Sequence, residues 1–249
     1  MLSLLSASLM FAQAAAPMTG DEARLTECIG TAVRDPATAI ATASEWLAGT
    51  TGPDSAAPQQ CLGHAYVGLL RWDAAEQAFL TARSALAQED GEARARLAAM
   101  AGNAALAAEA PERALEDFSA AATDAGETPL AGEITADAAR AFVALGRNEE
   151  AAAALAKTRR LAPQYAAGWL LSAALARRMD DLDAARGFIA TAAALAPQDA
   201  DIGLEAGVIA ALQGRDAEAR AAWQAVRDIA PGTPAADTAM RYQQQLTQP

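Results

Sequence analysis

The sequence predicts an all-α solenoid of antiparallel helix pairs, and three observations carry this prediction. A unit of 34 residues is written three times without a gap between Gly132 and Thr233, and a fixed period of this length is typical of repeat proteins. The motif Leu-Ala-Pro at 161–163 returns at 195–197, and as Ile-Ala-Pro at 229–231, so each unit ends on the same helix-stopping residue. The chain is rich in alanine and only 5% aromatic, and alanine favours helix because it loses no side-chain entropy there.

Each strict unit is interpreted as two helices joined by a tight turn. Gly146 and Gly214 stand near the middle of their units, where glycine permits the left-handed backbone that such a turn requires. One helix pair cannot bury its apolar face alone, so neighbouring pairs are expected to stack. The three strict units span 132–165, 166–199 and 200–233.

Two less regular units precede the strict ones. They fit the same pattern at 56–89 and 95–128, but they are offset by 39 and 37 residues instead of 34. The extra residues are therefore predicted to lengthen the second helix of each unit, or the loops at 86–94 and 124–131.

The two ends of the chain are predicted to close the solenoid. Residues 20–55 form a degenerate first helix pair, in which Asp35 caps the second helix and Pro36 occupies its first turn. An amphipathic helix over 234–247 supplies the polar face that the end of a solenoid needs. The prediction is about six helix pairs and a C-terminal cap.

The unit at 56–89 carries a resemblance to a known family. It contains Leu62-Gly63-x-x-Tyr66, followed by Ala75, Phe79 and Ala82. This pattern resembles the tetratricopeptide repeat (TPR), W-x2-L-G-x2-Y followed by A-x3-F and a final Pro. Gln59 stands in place of the Trp, and the final Pro is absent from this unit. The resemblance extends over about residues 56–233 and implies a right-handed superhelix that binds other proteins.

The register of the repeats predicts which side chains form the core. Small residues at unit positions 8 and 20 are expected where the two helices of a pair approach closely, and bulky residues at positions 4 and 24 fill the wedge between pairs. Trp169 and Trp223 occupy positions 4 and 24, so we interpret both as core residues rather than as a ligand platform.

Charge and motifs argue against several function classes. The formal net charge of −12 argues against nucleic acids and anionic membrane surfaces as partners. The chain has no Gly-rich phosphate loop and no Gly-x-Ser-x-Gly motif, and a single histidine excludes a multi-histidine metal site. Acidic residues such as Glu149, Glu150, Asp180 and Asp181 are interpreted as helix-start charges. We predict no catalytic residue, no metal site and no cofactor.

The N-terminus predicts export. Residues Leu2 to Phe11 are apolar and uncharged, and small-x-small sequences follow at 12–14 and 14–16. This arrangement is typical of a secretory signal peptide over residues 1–16, cleaved after Ala14 or Ala16, although no Lys or Arg precedes the apolar run. The alternatives are an uncleaved anchor and a wrongly assigned start codon. We expect a periplasmic or secreted protein with no integral membrane domain after signal removal.

Two cysteines, Cys28 and Cys61, are too few for a disulfide scaffold and lack CxxC spacing. They fall on the first helices of two successive pairs. In an oxidising compartment they either form a disulfide or remain two buried thiols that act as small hydrophobic residues.

The resemblance also implies a binding surface, because first helices of TPR proteins line a concave groove. Some relatives clamp the C-terminal carboxylate of a peptide with Lys and Asn, but Ala99 and Ala136 stand where the Lys is expected. The hypothesis that remains is a basic floor that binds an acidic or C-terminal peptide segment; the alternative is that the arginines pair with nearby acids. The groove residues in question are His64, Arg96, Asn103, Arg140 and Arg177, with Arg178 also facing the groove.

The sequence thus predicts a non-catalytic protein-interaction scaffold that holds a peptide or protein segment in its groove, with a role in cell-envelope complex assembly by analogy. The alternative is a structural module that self-associates without a groove ligand. An enzyme is disfavoured because no site for chemistry is found.

Overall fold

Thirteen α-helices follow one another in residues 20–246, the part of the chain that the computed structural model describes. Twelve of them form six pairs joined by short turns, and the thirteenth stands alone at the C-terminus. Each helix packs against the next one in the chain, and each pair packs against the next pair. The helices are α1 Gly20–Arg34, α2 Pro36–Ala48, α3 Ala56–Gly68, α4 Trp72–Ala85, α5 Gly91–Ala107, α6 Pro111–Ala125, α7 Pro129–Ala144, α8 Asn148–Leu161, α9 Ala166–Arg178, α10 Leu182–Leu195, α11 Ala200–Leu212, α12 Asp216–Ile229 and α13 Pro234–Leu246.

This architecture confirms the predicted all-α repeat solenoid. The odd-numbered helices from α1 to α11 are the first helices of their pairs, and the even-numbered helices are the second helices. The predicted signal peptide, residues 1–16, lies outside the described residues, as does residue 247 of the predicted capping helix. Among residues 20–246, no helix combines the length and the apolar character that a membrane span requires.

The extra residues of the two early units lie partly in other places than expected. First helices α5 and α7 have 17 and 16 residues, against 13 in α3, α9 and α11. The additions therefore extend first helices as well as the loop before α5, rather than second helices. For α7 the reason is local, because the Thr128 hydroxyl accepts from the Ala131 backbone N–H at 3.4 Å and Pro129 occupies the first turn. Both are helix-start signals.

Tight turns join the helices of the five pairs from α3 to α12 through one residue with a left-handed backbone. In two strict units this residue is Gly146 (φ 73°) and Gly214 (φ 71°), as the glycine positions predict. Leu70, Glu109 and Asp180 adopt the same conformation in other units, with φ between 57° and 63°. These three residues tolerate a backbone that normally favours glycine, so the turn geometry is set by the stacking of the helices rather than by glycine alone.

Within each of the five units between residues 56 and 233, the residue at position 8 lies beneath the residue at position 24. Where position 24 is aromatic, position 8 is glycine: a methyl group added at Gly102 would lie 2.7 Å from the Phe118 ring, and Gly63 under Phe79 and Gly207 under Trp223 are closer still. Where position 24 is aliphatic, position 8 is alanine. The summed volume of the two residues is thus kept roughly constant, as a close-packed interior requires. The aliphatic combinations are Ala139 with Leu155 and Ala173 with Ile189.

The first two pairs are joined covalently. Cys28 on α1 and Cys61 on α3 form a disulfide, with their Cα atoms 6.0 Å apart and both residues buried. Of the two states that the sequence leaves open, the structure has the bonded one. The degenerate first pair is thereby fixed to the start of the regular solenoid.

Candidate functional site

The face formed by the first helices brings two of the predicted groove residues together. Asn103 on α5 accepts a hydrogen bond from Arg140 Nη1 on α7 at 3.3 Å and donates to Asp137 Oδ2 at 3.1 Å. Arg140 Nη1 also lies 3.3 Å from Asp137 Oδ1. Asn103 and Arg140 are 37 residues apart and occupy the same position of two successive units, so the register itself makes them neighbours. This triad bridges two successive pairs and offsets much of the charge of Arg140.

The remaining predicted residues are spread along the solenoid rather than gathered. Arg177 on α9 forms an ion pair with Glu205 on α11, with Nε 2.6 Å from Oε1. Arg96 pairs with Glu92 within its own helix at 2.7 Å, and both side chains are more than half exposed. His64 packs edge-on against Phe79 at a centroid distance of 5.3 Å, and burial lowers the pKa of its imidazole. Pairing with local acids therefore occurs along this face, and ligand binding by these residues stays a prediction.

An apolar pocket of about 150 Å³ opens on the same face between α7 and α9. Leu155 of α8 lies at its base, and Arg140 and Arg178 are among its lining residues. Arg178 is exposed and forms no ion pair within residues 20–246. The pocket thus combines apolar walls with one cation that no neighbouring carboxylate neutralises. Its other lining residues are Ala139, Val143, Leu171, Ala174 and Leu175.

A second pocket, of about 240 Å³, lies on the opposite face of the same repeat junction, between second helices α8 and α10. Its polar centre is Arg159, whose Nη1 donates to the Ser172 hydroxyl at 2.6 Å. Burial lowers the pKa of the Arg159 guanidinium. Sequence reasoning missed this residue, because one helical arginine beside other charged residues carries no signal until its neighbours from the next repeat are known.

A third polar cluster, on α4 and α6, buries carboxylates. Glu76 and Asp117 are only 4% and 8% exposed, and each has one oxygen without a hydrogen-bond donor. Burial raises the pKa of Asp117 to about 7, and the nearby carboxylates Glu76 and Glu116 add to this. Burial likewise raises the pKa of Glu76, against the influence of Arg113, whose Nη2 is 2.6 Å from Asp73 and 3.4 Å from Glu76. Sequence reasoning missed this cluster too.

The acidic residues that the sequence singled out have local roles. Glu150 pairs with Arg147 at the start of α8, and the Asp181 carboxylate accepts from the Ala184 backbone N–H at the start of α10. These are the expected interactions of helix-start carboxylates. Within residues 20–246, no group of three or more His, Cys, Asp or Glu residues is arranged to hold a metal ion.

Comparisons with known proteins bear on the fold. No protein-family model matches the chain, and no curated protein matches it by sequence. Several solved structures are similar to it. Pseudomonas aeruginosa pilF is 16% identical, with a TM-score of 0.66 over 89% of this chain and 97% of its own. TTC0263, a TPR protein of Thermus thermophilus, is 21% identical, with a TM-score of 0.60 over 78% of this chain and 100% of its own.

A third similar structure is YrrB, described as a TPR protein with an unusual peptide-binding site. It is 20% identical, with a TM-score of 0.51 over 74% of this chain and 91% of its own. At these identities the likeness concerns the fold. The chain also has the helix pairs, the 34-residue period, and the contact of a small residue at position 8 with a large one at position 24. These features and the likeness to the solved structures show that this chain has the tetratricopeptide repeat fold.

Proposed function

We propose that the chain is a non-catalytic protein-interaction scaffold that holds a peptide segment in the groove formed by its first helices. The observation that carries the proposal is the apolar pocket between α7 and α9, with Arg140 and the unpaired Arg178 among its lining residues. The similarity in fold to YrrB, a TPR protein with an unusual peptide-binding site, supports a peptide as the ligand.

The pocket indicates what kind of segment it accepts. Its walls are formed by aliphatic side chains of α7, α8 and α9, which favour one apolar side chain of the ligand. The N–H groups of Arg178, and those of Arg140 other than Nη1, have no protein acceptor within residues 20–246. Guanidinium groups bind carboxylates well. The ligand is therefore a segment in which an apolar residue lies next to an acidic side chain or a C-terminal carboxylate.

Paired arginines of the same face have a different role in this proposal. Arg96 and Arg177 already bind Glu92 and Glu205, so a ligand carboxylate gains little from them. The basic floor predicted from the sequence is thus reduced to its part near α7 and α9.

Removing both cations of the pocket tests the proposal. Crosslinking in native cells, followed by mass spectrometry, identifies the captured protein, and the binding of its crosslinked segment is then measured with the purified chain. Because each charged hydrogen bond contributes about 1.5–3 kcal/mol, the double variant Arg140→Ala/Arg178→Ala should weaken binding by about tenfold or more.

A matched control removes two exposed arginines from the second helices. The variant Arg186→Ala/Arg220→Ala has the same net charge, and both residues lie on exposed positions of α10 and α12. It should bind within about twofold of the wild type. Equal binding by the two double variants would reject the groove, and light scattering that shows concentration-dependent oligomers without a captured partner would favour self-association instead.

We further propose that the chain acts in the bacterial cell envelope, as a periplasmic or secreted protein. The apolar N-terminal segment supports export, and the disulfide between Cys28 and Cys61 supports an oxidising compartment independently, because such bonds are rare in the cytosol. Alkylation of the denatured, unreduced protein from native cells should find no free thiol. Two free thiols would contradict the proposed compartment.

Removal of the disulfide should also lower stability. The cysteines are 33 residues apart, and closing a loop of this length contributes about 3–4 kcal/mol in the entropic model. Urea unfolding of Cys28→Ala/Cys61→Ala with and without reductant measures the difference, since reductant should destabilise the wild type and leave the variant unchanged.

A further inference from the structure

The pocket between α8 and α10 has a built interior. Its walls are the apolar side chains of Ala152, Leu155, Leu175 and Phe188, and its volume is about 240 Å³. This is slightly below the roughly 300–1,000 Å³ of pockets for drug-sized molecules. The space suits one leucine-sized or phenylalanine-sized group with a small polar head.

Arg159 is held rigidly inside this pocket. Its guanidinium carbon lies 4.4 Å from the ring centre of Phe188 and 5.7 Å from that of Trp169. One edge donates to the hydroxyl of Ser172, which is only 3% exposed and itself donates to the Gly168 carbonyl at 2.7 Å. Stacking of the planar group on a ring leaves its edge N–H groups free to bind, so the arginine is preorganised for a ligand.

The charge of Arg159 is not balanced by any carboxylate within residues 20–246. Four other partly buried arginines have a carboxylate partner and a fifth, Arg227, donates to the amide oxygens of Gln224 and Gln243, whereas Arg159 forms no ion pair within the described chain. Asp181 lines the pocket, but its carboxylate is exposed and caps α10. A half-buried cation without a counter-ion is costly, and an anionic ligand removes that cost. The arginines with partners are Arg83 and Arg94 with Asp124, Arg177 with Glu205 and Arg215 with Glu218.

We infer that this pocket binds a carboxylate that carries an apolar group, with Arg159 holding the carboxylate. The apolar group enters the space beside Leu155 and Phe188, and the carboxylate accepts from the free edge of the guanidinium. The same chemistry is offered by the C-terminal residue of a peptide and by a small free carboxylic acid.

This site is separate from the groove. The two pockets lie on opposite faces of one repeat junction and share only Leu155 and Leu175, which form the wall between them. Carboxylate binding here requires no partner in the groove, and neither of the arginines proposed for the groove lines this pocket.

Titration of the full chain with three probes tests the inference. The probes are N-acetyl-leucine, its uncharged amide N-acetyl-leucinamide, and the peptide acetyl-Gly-Ser-Leu with a free C-terminus. In nitrogen-15 NMR spectra, N-acetyl-leucine should shift the Nε–H resonance of Arg159, and the amide should bind about tenfold more weakly or not at all. Binding of the peptide as well identifies a peptide C-terminus as the source, whereas binding of N-acetyl-leucine alone identifies a small acid; both results support the site.

Two neighbouring arginines provide a matched pair of variants. Arg159→Gln should weaken N-acetyl-leucine binding by about tenfold or more, whereas Arg160→Gln should leave it within twofold, because Arg160 is exposed and pairs with Glu127. Equal binding of acid and amide, no shift at Arg159, or unchanged binding by Arg159→Gln would overturn the inference. Should Arg159→Gln fail to fold, the titration of the wild type with acid and amide decides alone.

Discussion

Two junctions between successive repeats stack their helix pairs in the same way but with different side chains at position 24. At the junction between units 56–89 and 95–128, Phe79 is 2% exposed and packs against Leu97, Ala101 and Ala104 of the next unit. At the junction between units 132–165 and 166–199, the equivalent residue is Leu155, and a pocket opens on each side of it. At the first of these two junctions the Phe79 ring fills the space around it, and at the second Leu155 leaves space that a ligand can use.

The two junctions also differ in the charge that they bury between second helices. Glu76 on α4 and Asp117 on α6 place carboxylates in the first junction, whereas Arg159 places a cation in the second. Contacts at positions 8 and 24 determine the stacking of the pairs, so the surface between second helices is free to carry either sign. We therefore expect the aromatic junction to contribute mainly to stability and the aliphatic junction to binding.

Truncation of the aromatic and of the aliphatic residue at position 24 should show the largest difference in stability. Phe79→Ala removes an aromatic side chain that is 2% exposed and should lower the free energy of unfolding by about 3–5 kcal/mol. Leu155→Ala should fall near the lower end of the roughly 2–5 kcal/mol typical of aliphatic truncations, because Leu155 already borders two cavities. Urea unfolding at constant pH measures both changes. Equal losses would show that the two junctions are packed equally well.

The buried carboxylate of the aromatic junction should give a pH-dependent effect. The pKa of Asp117 is raised to about 7 from an ordinary 3.8, so the folded chain binds a proton more tightly than the unfolded chain does. Asp117 therefore destabilises the fold when ionised, above pH 7, and this penalty disappears as the pH falls from about 7 towards 4. Asp117→Asn should stabilise the protein at pH 8 by about 1–3 kcal/mol.

Measurement of the same variant at pH 5 provides the control. The wild-type carboxyl is then largely protonated in the folded state, so the advantage of Asp117→Asn should be clearly smaller than at pH 8. Asp216→Asn is a matched variant at an exposed carboxylate of α12 that forms no ion pair within residues 20–246. A gain at pH 8 that persists unchanged at pH 5 would mean that ionisation of Asp117 is not its cause.

The sequence predicted the contacts between residues at fixed positions of the repeat. It did not predict contacts that depend on side chains found in only one pair of neighbouring repeats. The register predicted that Trp223 is a core residue, and it is 3% exposed. It also placed Asn103 and Arg140 on successive first helices, where they are hydrogen-bonded. Trp169, the other predicted core tryptophan, is only partly buried and donates its indole N–H to the Pro163 carbonyl, because it lies at the looser junction.

Arg159 and Asp117 were missed for a different physical reason. Each depends on side chains from a neighbouring repeat that do not lie at equivalent positions. Arg159 stacks on Phe188, and the pKa of Asp117 is raised partly by Glu76. The sequence period predicts which helix faces of neighbouring repeats pack together. The empty volume left at a junction depends instead on the packing of its individual side chains. The additional residues in α5 and α7 were misplaced because a start signal such as Thr128-Pro129 acts locally, ahead of the repeat boundary.

The smallest expected effect tests whether volume matching at positions 8 and 24 is responsible for the difference between junctions. Gly102→Ala places a methyl group 2.7 Å from the Phe118 ring, and overpacking of this kind costs about 1–3 kcal/mol. Alanine is more favourable than glycine in a helix by up to about 1 kcal/mol, so the free energy of unfolding should fall by roughly 1 kcal/mol in total. Gly187→Ala in α10 is the control, because nothing lies within 4 Å of the added methyl group, and it should be stabilising.

Adding Phe118→Leu to Gly102→Ala reproduces the combination that Ala139 and Leu155 already form in the next unit. The double variant should be more stable than the sum of the two single changes by about 0.5–3 kcal/mol, because the added methyl group occupies part of the space that the ring leaves. Thermal and urea unfolding of the four proteins in this cycle measure the coupling. Additive changes would mean that the two positions do not compensate in volume, and the open aliphatic junction would then need another explanation, such as the unpaired cation of Arg159 between its second helices.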